Sequence, residues 1–539
     1  MTDTPAHRRR PGRRVGGALV ASLGAAALGV ALTLQTASAA PAARTAGTAS
    51  TAPSTQAAQA GQEADAAPGV AAGPPPSTAK VPLSGRDRVY TADQTSNTVS
   101  VIDPATDKVL GTIALGTQRL SNELNPQYVG DIDVHGLAYA PGRRRLAVVS
   151  IASNTVDIID TATDQVLSHT DVGRSAHEGW FTKDGRQFWV ADRGRDTVTV
   201  VDAVHGGVIT NLHVGAGPSK VVMSPDGKWA YINHTSLPEI TVVNVATRKV
   251  VGHITGLADS FASDLAISPD GRQLWVPHKH VGKVTVVDLA HDRVQAVLDT
   301  GPDTNHPNFA VLPTGSYAYI TVGGLNETKV YRLTGTGTPQ LTATVHDTGN
   351  APHGLWPSGD WSRMYVGMEK SDSVDVIDTA TNEVVDTLAV GQEPQALVYV
   401  PDAVPAGTTD ATTPGLGTQG LHQQGHNVPT TLPDGTPGDI TDPVLGKHLE
   451  ATIRPVVGLD MIDLQARNLK PTTTYRALSV APDGARTPVV TFTTDSAGNA
   501  PQVLAFSSFT GRSIALEETT TPGAQPTVTA ADMSDCCCC

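Results

Sequence analysis

The sequence predicts an all-β fold: a seven-bladed β-propeller followed by a small β-sandwich-like domain. Three observations carry this. A β-branched phrase recurs about every 42 residues, a Ser-Pro-Asp-Gly turn or a relative of it precedes most copies, and one strand is left over at the end of the array.

The phrase reads NTVSVID at Asn97–Asp103, NTVDIID at Asn154–Asp160 and DTVTVVD at Asp196–Asp202. Variants follow at Ile240–Asn244, Lys283–Asp288 and Ser373–Asp378, with a weaker copy at Thr328–Arg332. Each is followed by a turn and a further strand that ends at a glycine, from Gly116 to Gly391. Upstream lie Ser224-Pro-Asp-Gly227, Ser268-Pro-Asp-Gly271 and Lys183-Asp-Gly185, whose Pro and Gly suit tight turns between strands. The unit is therefore four short strands, A to D, the content of one propeller blade. Aspartates at the end of strand C (Asp103, Asp160, Asp202, Asp288 and Asp378) are expected to cap the C–D turn.

Seven B-C-D sets are present, but the first, beginning near Arg88, has no A strand before it. The surplus strand Gln395–Val400 follows the seventh set. It is expected to pair into the first blade, closing the ring and removing two sheet edges. The propeller is placed at residues 86–403. Its repeats resemble the YVTN family of β-propellers, through Val89-Tyr-Thr-Ala-Asp93 and Phe188-Trp-Val-Ala-Asp192. That resemblance implies a secreted or surface-associated binding or scaffold protein and specifies no reaction.

The flanks differ in composition. Arg8, Arg9, Arg10, Arg13 and Arg14 precede an uncharged stretch from Val15 to Leu34, and Ala37-Ser38-Ala39 fits a cleavage site. Residues 1–39 read as an export signal for the Sec or twin-arginine route. A secreted or cell-wall-associated protein is expected, with no membrane span once the signal is cleaved. Residues 40–80 contain no aromatic residue and read as a disordered Ala/Pro/Thr-rich linker. Residues 404–445, rich in Pro, Gly and Thr, read as a second linker. Strand patterns return at 446–520, from Leu449–Ile453 to Val503–Phe506, and Leu469–Tyr475 resembles the strand-turn-strand corner of fibronectin-like domains. Residues 521–539 form a tail ending in Cys536, Cys537, Cys538 and Cys539, the only cysteines in the chain. Adjacent cysteines are poorly spaced for bridges to one another and suit capture of a soft metal ion or cross-linking.

Charged residues are 17% of the chain and the formal net charge is −14, which argues against a phosphate-binding, nucleic-acid partner. Candidate chemistry comes from alignment on the A–B turn. Counting back to the start of strand A gives Gln395, His135, His177, Ser219, Ser263, Pro307 and His353 for blades one to seven, with His306 one step away. Four histidines, His135, His177, His306 and His353, thus converge at one mouth of the central channel, where neutral imidazoles suit copper or zinc. Loops carrying His234, His278 and His280 open on the same face. Asp264, Glu178 and Lys220 follow their ring residues and are expected to alternate away from the axis. The mouth is similar in position to the histidine-lined propeller end of nitrous oxide reductase, but the full histidine set and the copper domain of that enzyme are absent.

The reading is a monomeric, secreted binding or scaffold propeller with a ligand or metal site at the histidine-lined mouth. Its partner would be an extracellular protein, the cell wall or a small molecule. The alternatives are a metal-dependent, copper-type enzyme or metal-handling protein and, with less support, a lactone hydrolase.

Overall fold

The computed structural model describes residues 83–117, 130–140, 142–406, 414–438, 446–456 and 459–519. The stretches read as an export signal and as a 40–80 linker, and the four terminal cysteines, lie outside these residues. Among the described residues no helix is long and apolar enough to cross a membrane.

Between Arg88 and Val400 the described strands form seven four-stranded antiparallel sheets, one per repeat. Their inner strands are Pro394–Val400, Val134–Ala140, Ala176–Phe181, Pro218–Met223, Ala266–Ile267, Thr304–Leu312 and Pro352–Pro357, for blades one to seven. The surplus strand pairs with Arg88–Asp93, in a register running from Arg88 opposite Val400 to Asp93 opposite Pro394. It also lies against the inner strands of blades two and seven, so the ring is continuous across its seam.

Local chemistry explains the blade. The C-strand phrases are buried on both faces, as in Thr98–Asp103 and Thr155–Asp160, which suits their run of Val and Ile. At the following turn the aspartates accept backbone N–H groups two residues on: Asp103 from Ala105 at 3.0 Å, Asp160 from Ala162 at 2.9 Å and Asp378 from Ala380 at 2.8 Å. Between blades, large side chains interlock. Trp275 of blade five meets Phe309 of blade six edge-on, ring centroids 5.9 Å apart. The outermost strands, such as Gln165–Asp171, are largely exposed.

Beyond the propeller the chain forms two further four-stranded sheets packed on a shared core that includes Leu449, Ile462, Tyr475, Phe492 and Ile514. Short strands at His426–Asn427 and Thr430–Thr431, inside the stretch read as a linker, join these sheets. Just upstream, Thr112 and Gly417 exchange backbone hydrogen bonds of 3.0 and 2.7 Å, fastening this segment to blade one. At the Leu469–Tyr475 corner the Tyr475 hydroxyl accepts the Lys470 N–H at 3.1 Å.

Propeller and second domain belong to one compact unit joined by buried charge. Arg454, fully buried, donates Nε to Asp372 Oδ1 at 2.7 Å. Lys370 pairs with Asp463, Arg467 pairs with Asp303, and Gln392 Nε2 donates to the Pro455 carbonyl at 2.8 Å. Asp372, Lys370, Asp303 and Gln392 lie in loops at the end of the propeller where the inner strands begin. The second domain is therefore anchored on the histidine end.

Two outcomes follow. Deleting residues 394–400 strips several fully buried Val and Leu side chains and exposes both edges of the seam, so it should cost roughly 5 kcal/mol or more. An unchanged melting midpoint would contradict the closure. Arg454→Ala leaves Asp372 buried without its guanidinium and should cost about 3–5 kcal/mol in a denaturant titration. It should also increase proteolysis between propeller and second domain.

Candidate metal and ligand site in the channel

The inner strands do not begin as regular strands. Pairing with the neighbouring strand skips between Ala176 and Gly179, Pro218 and Val221, Thr304 and Pro307, and Pro352 and Leu355. Shorter slips occur at Val134/Gly136 and at the Ala396/Pro394 seam. A bulge of this kind releases its residues from alternation and re-aims their side chains. Two consecutive residues can then face the axis, and the channel carries two tiers.

The first tier is a ring in which each donor reaches the next blade. His177 Nδ1 bonds to the Ser219 carbonyl at 2.9 Å, Ser219 Oγ to the Ser263 carbonyl at 3.2 Å, and Ser263 Oγ to the Asn305 carbonyl at 3.3 Å. His353 Nδ1 bonds to the Gln395 carbonyl at 2.8 Å. A carbonyl only accepts, so His177 and His353 donate from Nδ1. Gly136 and Gly354 let the neighbouring blade approach this closely: a Cβ at either would strike the carbonyl oxygen of His177 or Gln395.

The second tier is ionic. Lys220 Nζ lies 2.7 Å from Glu178 Oε2 and 2.6 Å from Asp264 Oδ1, and His306 Nδ1 lies 2.6 Å from Asp264 Oδ2. Burial opposes the Lys220 charge, but Asp264 and Glu178 outweigh it and hold the ammonium above the usual lysine range. Burial likewise opposes ionisation of Asp264, but His306 and Lys220 hold its carboxyl below the usual range. Burial, then the charge of His306, pushes His353 down to about 3, and burial holds His135 well below an ordinary histidine.

The four predicted histidines do come together. Ring centroids are 4.4 Å apart for His135–His177, 4.6 Å for His306–His353 and 6.1 Å for His135–His353. Their placement differs from expectation in three ways. Blade six contributes Asn305, not Pro307, to the first tier, and His306 stands in the second. Its inner strand runs nine residues, longer than the others, so counting back from the A–B turn lands two residues late. Glu178 and Lys220 face the axis because the bulges break the alternation on which the contrary expectation rested, and Asp264 does so from the irregular stretch before the short strand Ala266–Ile267. Finally, the histidines are buried, all at most 6% exposed, at the end that carries the second domain. His234 and His278 clamp strands instead, with Nε2 on the hydroxyls of Thr241 and Thr285 at 2.9 and 2.8 Å. His280 stacks on Phe261. Two polar residues in succession where a buried strand begins (His177-Glu178, Ser219-Lys220, Ser263-Asp264, Asn305-His306) are the sequence signal for the second tier.

Donor atoms of His135, His177 and Glu178 lie within 4.8 Å of one another, as do those of Glu178, Asp264 and His306. In the second group Lys220 takes Glu178 Oε2 and Asp264 Oδ1 and His306 Nδ1 takes Asp264 Oδ2, while His306 Nε2 lies 4.0 Å from Glu178 Oε1. In the first group His135 Nε2 and Glu178 Oε1 are buried without a hydrogen-bond partner, 4.0 Å apart. A third grouping, Asp131, Asp157 and the exposed His169, lies in blade two.

Below the ionic tier the channel widens into a cavity of about 540 Å³, the size of a small-molecule site. Its floor is Glu178, Lys220, Asp264 and His306, and its walls include Leu137, Leu265, Leu355 and Leu397. Trp180 and Trp356 stack across it, centroids 5.9 Å apart. The lining continues to Pro225 and Pro269 of the A–B turns, so the cavity extends toward the end of the propeller opposite the histidines.

Residues 136–404 match the family described as YNCE-like β-propeller. No curated protein matches the chain. Among solved structures, hydrazine synthase of Kuenenia stuttgartiensis is 20% identical with a TM-score of 0.44, over 49% of this chain and 90% of that one. A functionally unknown protein from Desulfotomaculum acetoxidans is 12% identical with a TM-score of 0.49, over 58% and 98%. The periplasmic gluconolactonase of Pseudomonas aeruginosa is 18% identical with a TM-score of 0.47, over 59% and 99%. No chemistry is carried over from them.

Lys220→Met leaves Glu178 and Asp264 buried without their cation and should cost about 3–5 kcal/mol at neutral pH. The depressed Asp264 carboxyl contributes stability that is present above its unfolded pKa, near 4, and lost as pH falls. The deficit of the variant should therefore shrink as both proteins are acidified. Urea midpoints measured from pH 6 to pH 2 would check this, with the change expected below about pH 4, and a deficit independent of pH would contradict it.

Proposed function

Since residues 136–404 belong to the YNCE-like β-propellers, a fold that serves many activities, we propose from the channel itself that this is a metal-binding propeller. Its metal is a divalent transition ion, Zn(II) or Cu(II), held by His135, His177 and Glu178. The observation that carries the reading is the pair of orphaned atoms, His135 Nε2 and Glu178 Oε1, buried side by side. An unpaired buried acceptor costs about 1–3 kcal/mol, more when charged, and is rare without a reason. One cation would satisfy both. His177 supports the set because its Nδ1–H is fixed on a backbone carbonyl, the outer-shell bond that orients imidazole ligands. Two imidazoles and a carboxylate suit zinc or copper better than calcium or magnesium.

This narrows the four-histidine expectation to two of its members. His306 is engaged by Asp264, and His353 packs edge-on against His135. Export supports the reading as well: the basic and apolar stretches before Ala39 suit a protein that meets metal ions outside the cytosol.

The test uses the full chain with Cys536, Cys537, Cys538 and Cys539 each replaced by Ser, so that thiols do not contribute. Titration calorimetry and elemental analysis should give about one Zn(II) or Cu(II) per chain. His135→Ala combined with His177→Ala should abolish it, and His353→Ala should retain it. Equal binding by the His135/His177 double variant would sink the proposal.

A further inference from the structure

The metal group and the cavity meet at one side chain. Glu178 Oε2 holds Lys220, while Glu178 Oε1 is the atom assigned to the ion. Lys220 in turn lines the cavity. An ammonium has three N–H donors, and two of those on Lys220 are taken by Glu178 and Asp264. One donor remains, on a cation at the floor of a largely apolar chamber.

Charge at that floor depends on the ion. At the floor Glu178 and Asp264 face Lys220, and His306 is paired with Asp264. A divalent ion on Glu178 adds two positive charges to that set. It also draws carboxylate density away from Lys220, so the ammonium is less fully neutralised. In a buried site such a change is weakly screened and acts over several ångströms. The chamber walls are leucines, with the Trp180–Trp356 pair crossing the space. They suit a flat apolar body, and the other lysine of the lining, Lys183, belongs to an A–B turn at the far end from Lys220.

We propose that the channel is a metal-gated site for a small organic monocarboxylate: an apolar, preferably aromatic body lies against the leucines and Trp180/Trp356, and its carboxylate meets the spare N–H of Lys220 once the ion is bound at His135, His177 and Glu178. By linkage, carboxylate and metal each tighten the other's binding. The inference rests on the metal assignment above and adds the ligand class and the direction of coupling.

The experiment uses the same cysteine-free full chain, prepared with Zn(II) or treated with EDTA, with metal content measured on each sample. Phenylacetate and phenethylamine, one flat body with opposite charges, are titrated while tryptophan fluorescence and heat are followed. Phenylacetate should bind the zinc form at least about tenfold more tightly than the EDTA-treated form, and phenethylamine should show the reverse order. Lys220→Met should remove phenylacetate binding from the zinc form. The wild-type comparison stands alone if that variant folds poorly. Equal phenylacetate affinity in both forms, or amine preference in the zinc form, overturns the proposal while leaving the metal assignment intact. Failure of the protein to take up zinc overturns both, and the metal analysis shows which has occurred.

Discussion

The pairing of Pro394–Val400 with Arg88–Asp93 is the constraint on which the channel depends. That one antiparallel contact joins the end of the repeat array to its beginning and sets seven inner strands around one axis. Without it, His353 of the seventh blade and His135 of the second would not be held 6.1 Å apart, because Gln395, on the closing strand, carries the carbonyl that orients His353. Long-range strand pairing is entropically costly to form. Here it is rewarded by burial of Leu397, Val398 and Val400 in the cores on either side of the seam.

Closure creates a crowded axis, and bulges at the start of the inner strands relieve the crowding. Where regular pairing would send alternate side chains into the blades, the bulges turn pairs of polar residues inward and leave their backbone groups to neighbouring blades. The consequence is an unusual density of buried charge: Glu178, Lys220 and Asp264 in the channel, and Lys370, Asp372, Arg454 and Asp463 where the second domain is anchored. Buried pairs rarely raise net stability over apolar packing, but breaking one is costly. Such networks therefore fix geometry more than they add free energy, which is what a binding floor and a domain anchor require.

Much of the fold was legible because its determinants are local and repeated. The phrases at Asn97, Asn154 and Asp196, the Pro-Asp-Gly turns and the aspartate caps each act over a few residues, and their period reveals the blade. The surplus strand was legible by counting alone. The candidate site was legible only in part. The histidines were found because the repeat aligns them, but alignment assumed a constant A–B turn and regular alternation. The long inner strand of blade six broke the first assumption and moved Asn305 into the place given to Pro307. The bulges broke the second and brought Glu178 and Lys220 to the axis, and Asp264 reached it from an irregular stretch before its short strand.

The sequence by itself therefore determined the all-β class, the repeat, the closing strand and the convergence of His135, His177, His306 and His353, since these follow from periodicity and from chemistry a few residues long. Tertiary structure decided which imidazoles share a carboxylate, which carboxylates are already neutralised, and that the open space lies below the ionic tier, with the second domain anchored at the histidine end. Those outcomes depend on strand register at each bulge and on contacts between residues as far apart as Arg454 and Asp372. No local pattern encodes them, because a one-residue change in register exchanges the side chains that face the axis for those that face the blade.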